Sequence, residues 1–531
     1  MTAGPEPNSP MKRHILGLAL LLGGGALTAC EKFLDVNNNP NNPTVATPNF
    51  ILPGVIANGI QPQMFSALRV PFITQYVVNR SPAGGVDQYY FLNGQSTSIF
   101  NASYFNSGGN IPPLIKAAQE EGSPYYVGAG KIMQAVILAH LTDMMGDVPY
   151  SEAYQGGSNF TPKYDPQEQL YGNINQLCDE GAAEMAKPAS ANKRTFYSTQ
   201  PSESGDILYK GDPGKWTRLA FSLKARQAQH LTKKASYDPK AVLALCDKGF
   251  TSSADDAQLQ YQTAVAPLVG TTSVFGTTRA NFGGSVFATN FLKYLNGTTF
   301  AGVVDPRFGI IAPTTSTGSN PGATTPTGTN AIPGTVTSTA PNGIADFYAG
   351  WYARDLGYFE VITYHELKFI EAEAAFRDNN LARALAALRE GIRAHMTKIG
   401  VGGTATSPLI PVITFPAITP AQITAYLASA AVPQTEADLT LRAIMEQKYI
   451  AMFLNPDSWS DMRRLDFDPA IYVNLVYPVG VNPVFTADPA RRFPRRLLPA
   501  GTEILYNPSE VARVGGNDLD YITRPLWFDM R

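Results

Sequence analysis

The residues of this chain that could do covalent chemistry are few and poorly spaced for it. His365 and Glu366 begin as a zinc-protease helix begins, but the position one helical turn on, where the second histidine must stand, is Phe369. No Gly-x-Ser-x-Gly elbow occurs, and Gly130-Lys131 lacks the first glycine of a phosphate-binding loop. Asp35, Asn37 and Asn39 open like a calcium loop, yet Pro40 takes the place of the turn glycine and Ala46 that of the closing glutamate. Carboxylates brought together from distant segments could form a glycosidase pair, but no spacing singles one out. The chemistry that the composition favours is non-covalent. Aromatic residues make up 11% of the chain, and 46 glycines with 41 prolines imply many loops to carry them. The leading ligand candidate is Trp351, which lies where neither periodicity nor a helix stripe requires a large ring, followed by Tyr89, Tyr90, Tyr348 and Tyr352. The expectation is a binding protein with no catalytic residue, no metal and no cofactor.

Charge narrows the partners. With 41 basic against 43 acidic residues the net charge is -2, so the field needed to hold a nucleic-acid backbone is missing. Lys215, Arg218, Lys224 and Arg226 fall on an amphipathic helix and read as its solvated face. Of the three cysteines, Cys178 and Cys246 lie outside the N-terminal leader and allow at most one bridge.

The elements that must position the rings are helical. Val361 to Met396 carries Leu367, Ile370 and Ala374 on one face and Phe369, Ala372 and Phe376 on another, so this helix is packed on more than one side. Asp378, Asn379 and Asn380 interrupt it with turn and cap residues before Leu381, Ala384, Leu385 and Leu388 resume the spacing, which gives a helical hairpin. Further helices are expected over Pro124 to Leu141, after Trp216, and from Glu436 to Phe453. Between them, residues 252–311 show no strong period, and 312–345 form a Thr, Ser, Gly, Pro and Asn tract too poor in apolar side chains for a core segment.

Lys12 and Arg13 precede an apolar run from Ile15 to Ala29, shorter than the ~20 residues a spanning helix needs, so it reads as a signal peptide with Met11 as the natural start. Its end, Leu27-Thr28-Ala29-Cys30, resembles the bacterial lipobox, which makes Cys30 the expected lipid-bearing first residue of an exported, tethered protein.

The Asn-rich stretch 35–43, the string Gly146-Asp147-Val148-Pro149-Tyr150-Ser151-Glu152-Ala153, and the segments Pro162-Lys163-Tyr164-Asp165 and Gln167-Glu168-Gln169-Leu170-Tyr171 resemble the SusD/RagB family, in its SusD-like branch. So do Asp206 to Asp212, Ser222 to Arg226, Trp459-Ser460-Asp461-Met462-Arg463-Arg464, Pro494-Arg495-Arg496-Leu497 and the closing Leu526-Trp527-Phe528-Asp529. One departure is Gln447, which stands where the family has glutamate in its Ile-x-x-Glu-Lys-Tyr helix. The resemblance implies an all-α fold in which tetratricopeptide-like helix pairs support a loop-rich ligand-binding half. It also implies an outer-membrane lipoprotein that passes an oligosaccharide, or alternatively a peptide, to a SusC-like TonB-dependent transporter. Residues 1–29 are then the leader and 30–531 a single domain. A glycoside hydrolase and a purely structural helical-repeat adaptor are the weaker alternatives.

Overall fold

The computed structural model describes residues 46–531 except 80–84, 201–202, 263–271, 277–278, 280, 314–345, 408–409, 487 and 489–490. The leader, Cys30, the Asn-rich stretch and the bulk of the Thr-rich tract lie outside the described residues, and Pro48–Arg531 form one compact unit.

Eleven helices of this unit carry the argument. They are α1 (Pro48–Gly59), α2 (Ile111–Glu121), α3 (Pro124–Met145), α4 (Gln167–Met185), α5 (Pro213–His230), α6 (Pro239–Cys246), α7 (Tyr364–Arg377), α8 (Leu381–Ile399), α9 (Pro420–Leu427), α10 (Leu441–Ala451) and α11 (Asp457–Arg464). From α2 to α8 each helix packs on the next, and α10 closes over α7 and α8, so the scaffold is a run of helix pairs. Among the described residues the strands are short and occur as four antiparallel pairs: β1 (Val77–Asn79) with β5 (Ser285–Phe287), β2 (Val148–Pro149) with β3 (Tyr164–Asp165), β4 (Ala257–Gln260) with β6 (Tyr358–Ile362), and β7 (Val401–Ser407) with β8 (Ile410–Ala417). The fold is all-α, as the resemblance implies.

Helix α3 is buried nearly all round, as its predominantly apolar composition demands of a central helix. It approaches α4 closely because Gly128 and Gly181 face each other. A Cβ on Gly128 would lie 2.9 Å from the Gly181 carbonyl, and one on Gly181 only 2.6 Å from Ile132. The hairpin α7–α8 follows the sequence pattern. Thr363 caps α7 by accepting from the Glu366 amide, Asn379 takes the left-handed conformation at φ 57°, and Asn380 caps α8 by accepting from the Arg383 amide. Phe369, Ala372 and Ala374 are fully buried, which bears out the inner-helix reading.

In residues 252–311, which show no strong period, Phe275, Phe282, Phe287, Phe291 and Tyr294 all enter the core. Two expectations are corrected. The helix expected from Glu436 to Phe453 is split, because Thr435 and Asp438 cap each other in a separate short turn and Thr440 begins α10 by accepting from the Ala443 amide. Arg226 is buried rather than solvated, since its guanidinium makes two 2.6 Å bonds to Glu366 of α7. The partner carboxylate lies on another helix, and spacing along α5 cannot reveal it. Cys178 and Cys246 are both free and buried, and burial pushes the Cys178 thiol up to about 12.

Several of the strings that carry the resemblance converge in space. Asp165, from β3, accepts from the amides of Tyr150 and Ser151 and from the Ser151 hydroxyl, at 2.6–2.8 Å, so the turn after α3 is fastened to the strand that pairs with it. Gln167 donates to the Thr142 carbonyl and accepts from the Phe528 amide, which ties the same turn to the end of the chain. Arg463 lies 4.1 Å above the Trp459 ring and 5.0 Å above Phe528, while Asp529 pairs with Arg495 at 2.8 Å.

Candidate functional site

The candidate rings do not gather at one place. Trp351, Tyr352 and Tyr348 lie in consecutive tight turns between Phe347 and Ala353, whereas Tyr89 belongs to a separate cluster with Phe485 and Ile522. Their surroundings are those of a core for all but one of them. Trp351 is 4% exposed, Tyr352 7%, Tyr348 1% and Tyr89 0%; only Tyr90 is half-buried. Trp351 packs edge-on against Tyr352 at 5.0 Å, with the Arg354 guanidinium 3.9 Å from its ring, and its indole N–H has no hydrogen-bond partner among the described residues. Tyr348 accepts from the Phe282 amide. Tyr352 shares a 2.9 Å bond with Nε2 of His395, and Arg307 donates to Nδ1 of the same imidazole at 3.2 Å. Nε2 therefore carries the proton, and burial drives the His395 pKa well down, as it drives His365 down to about 3.

Tyr348 and Tyr352 join an aromatic chain at Phe347 and Phe453, at 5.5 and 5.2 Å. Phe275, Phe282, Phe347, Phe287, Phe453 and Phe291 follow one another at centroid separations of 4.9–5.9 Å. The chain underlies the roots of the loop-bearing half, where the Asp346 amide donates to the Pro313 carbonyl at 2.9 Å and so joins the two ends of the segment 314–345.

An open concave surface lies elsewhere among the described residues. It is a groove of about 570 Å³ between the turn at Thr299–Ala301 and the chain from Ala430 to Glu446. The turn is rigid: Gly297 and Gly302 take left-handed φ of 85° and 77°, Gly302 donates to Gly297, Val303 donates to Phe300, and Asn474 donates to the Thr299 hydroxyl at 2.7 Å. Phe300 is thereby held half-buried. On the opposite wall the Gln434 amide donates to the carbonyls of Leu427, Ser429 and Val432, and Arg442 donates through Nε to Glu446 at 2.9 Å. The family departure at Gln447 fixes this wall. Its oxygen accepts from Arg307, and its amide donates to the Tyr426 hydroxyl and the Ala431 carbonyl. Arg307 already has Asp305 as its counter-ion at 2.6 Å, and a carboxylate at 447 could not donate to Ala431. Phe300 and Arg442 belong to no periodic motif; the glycine-flanked turn around Phe300 is the one signal the sequence offers.

One cluster of metal-ligand type occurs among the described residues: Asp143 of α3, His230 of α5 and Asp457 of α11, all buried. It is filled by charge already present. His230 lies 3.1 Å from Asp457 and 3.4 Å from Asp143, and Asp143 also accepts from Tyr171 and Gln227. Burial alone would lower the imidazole pKa, but Asp457 and Asp143 outweigh it and hold it up at about 9. Raised above the unfolded value of 6.5, this pKa gives a stabilisation that is complete below pH ~6.5 and is lost as pH rises through about 9. Urea unfolding between pH 6 and 9.5 should therefore show a loss of a few kcal/mol, at ~1.4 kcal/mol for each tenfold change in proton affinity, and His230→Gln should remove that loss. An equal loss in the variant would place the effect elsewhere.

Comparison with known proteins agrees with this architecture. A SusD-like family model described as "Starch-binding associating with outer membrane" matches residues 40–476. No curated protein matches. Among solved structures the chain is similar to a chitin-binding protein, at 21% identity and TM-score 0.65 over 91% of this chain and 100% of the other. It is similar to a SusD/RagB family protein of Bacteroides thetaiotaomicron, at 23% identity and TM-score 0.66 over 91% and 99%. A chitin-binding SusD homologue of Flavobacterium johnsoniae gives 18% identity and TM-score 0.61 over 91% and 99%. With helix pairs, loop-bearing half and motif turns all in place, the chain belongs to the SusD-like family of outer-membrane-associated binding proteins.

Proposed function

We propose that the protein captures an oligosaccharide at the cell surface, held to the outer membrane by a lipid on Cys30, and delivers it to a SusC-like TonB-dependent transporter. The observation that carries this reading is the family match over residues 40–476, on a fold shared over 91% of the chain with two chitin-binding proteins. Saccharides suit such a protein because the C–H faces of a sugar ring are apolar and stack on aromatic side chains, while carboxylates, amides and guanidinium groups bind its hydroxyls. A lipid anchor is the attachment that fits the lipobox, and no helix of the described residues is long and apolar enough to cross a membrane. In this reading Trp351, Tyr348, Tyr352 and Tyr89 support the ligand-bearing half from below, and Tyr90 is the candidate ring with a face left to solvent.

Cys30→Ala should move the protein from the outer-membrane fraction to the soluble one, and a detergent pull-down of the wild type under native expression should recover a TonB-dependent barrel. Wild type without an acyl chain by mass spectrometry, or recovery without a barrel in several detergents at low salt, would count against the anchor or the delivery step respectively. Parallel glycan-array and peptide-library screens decide the cargo, and binding confined to peptides would replace the saccharide reading.

A further inference from the structure

We propose that the groove between Phe300 and α10 is where the saccharide binds, and that it selects an uncharged chain: Phe300 carries the apolar face of one sugar, and the Arg442–Glu446 pair holds its hydroxyls. The proposal rests on the saccharide reading above and gives it a place and a ligand class.

Four observations carry it. The groove, at about 570 Å³, lies within the ~300–1,000 Å³ usual for small-ligand sites and is open to solvent. Phe300 is the only large ring in its lining among the described residues, and the hydrogen-bonded glycine turn fixes the ring before any ligand arrives, which reduces the ordering cost of stacking. Glu446 is a carboxylate with a side chain only 5% exposed in the floor of an open groove, and its bond to Arg442 uses Nε alone, so both partners keep hydrogen-bonding capacity. Burial raises the Glu446 pKa, the sign of a carboxylate short of donors; sugar hydroxyls would supply them.

Charge sets the selection. Among the described residues Arg442 is the single cation of the lining, against the carboxylates of Asp438 and Glu446. A uronate or sulfated sugar would bring a further anion beside two that are already there, and like charges in a partly desolvated site repel strongly. Gln434, by contrast, spends its amide on three backbone carbonyls and holds the wall in shape rather than reading the ligand.

The test is titration calorimetry on the mature chain with maltoheptaose, chitohexaose and an oligogalacturonate of similar length, with thermal melts of every variant. At least one neutral chain should bind, and the oligogalacturonate should bind roughly tenfold more weakly or less. Phe300→Ala should weaken the neutral ligand about tenfold or more. Arg442→Ala, at a side chain 47% exposed, should weaken it severalfold, and its melt separates that loss from the cost of leaving the Glu446 carboxylate without its partner. Wild-type affinity in both variants would remove the site from this groove while leaving the saccharide function standing. A wild type that binds neither neutral chain would overturn the function as well as the site, and binding of oligogalacturonate as tight as that of the neutral chains would overturn the charge selection.

Discussion

Replacing Arg464 by alanine should cost ~3–5 kcal/mol of stability, the range for stripping one partner from a buried ion pair. Arg464 is fully buried and bonds to both oxygens of Glu373 across α7, at 2.6 and 2.5 Å, and to Asp461 on its own helix at 2.6 Å. Asp461 in turn pairs with Lys448 of α10 at 2.7 Å, so the guanidinium joins α7, α10 and α11. Burial would raise the Glu373 pKa, but Arg464 and then Arg377 overcome it and hold the group far below the usual carboxylate range. Alanine leaves Glu373 with Arg377 alone and opens space beside it. Arg464→Lys should lose less but still a substantial part, because an ammonium cannot form the two-pronged bond. Urea midpoints measure both. A loss below ~1 kcal/mol for alanine would mean that water reaches the site and that the network contributes little.

Trp351→Ala should lower stability by ~3–5 kcal/mol and leave affinity for the captured ligand unchanged. The ring is 4% exposed, sandwiched by contacts to Tyr352 and Arg354, and it seats the segment that follows Asp346 onto the aromatic chain. A stacking residue of a ligand site would behave in the reverse way, losing ~1–3 kcal/mol of binding with little change in melting. Calorimetry and melts on one preparation separate the two outcomes. The unpartnered indole N–H adds a second expectation. Trp351→Phe removes a buried donor along with some volume, so it should cost much less than alanine.

What the sequence makes legible follows physical range. Periodicity is a local signal, and the α7–α8 hairpin is readable down to its cap because Asn380 and the residues it satisfies are neighbours along the chain. The turn after α3 is readable as a motif, but its reason, the three bonds accepted by Asp165, exists only in space. Arg226 reads as solvated along its own helix because burial of a charge depends on a partner, Glu366, from a distant one. Trp351 reads as free of packing duty for the same reason: a core built from irregular turns has no period to report, yet its rings bury as completely as those of a helix. Beyond the glycines that flank Phe300, the groove leaves no trace in the sequence, because its two walls, around Phe300 and Arg442, are far apart along the chain and share no motif.

The hydrogen bond between Asp346 and Pro313 has a consequence for how this protein can change over evolution. A segment whose two ends are already pinned together can be lengthened at little thermodynamic expense, since each doubling of a loop adds only ~0.6 kcal/mol of closure entropy. The scaffold on either side would not need to adjust. The pinned ends at Pro313 and Asp346 thus mark an insertion port, a place where sequence can be spliced in or cut out while the described scaffold keeps its fit.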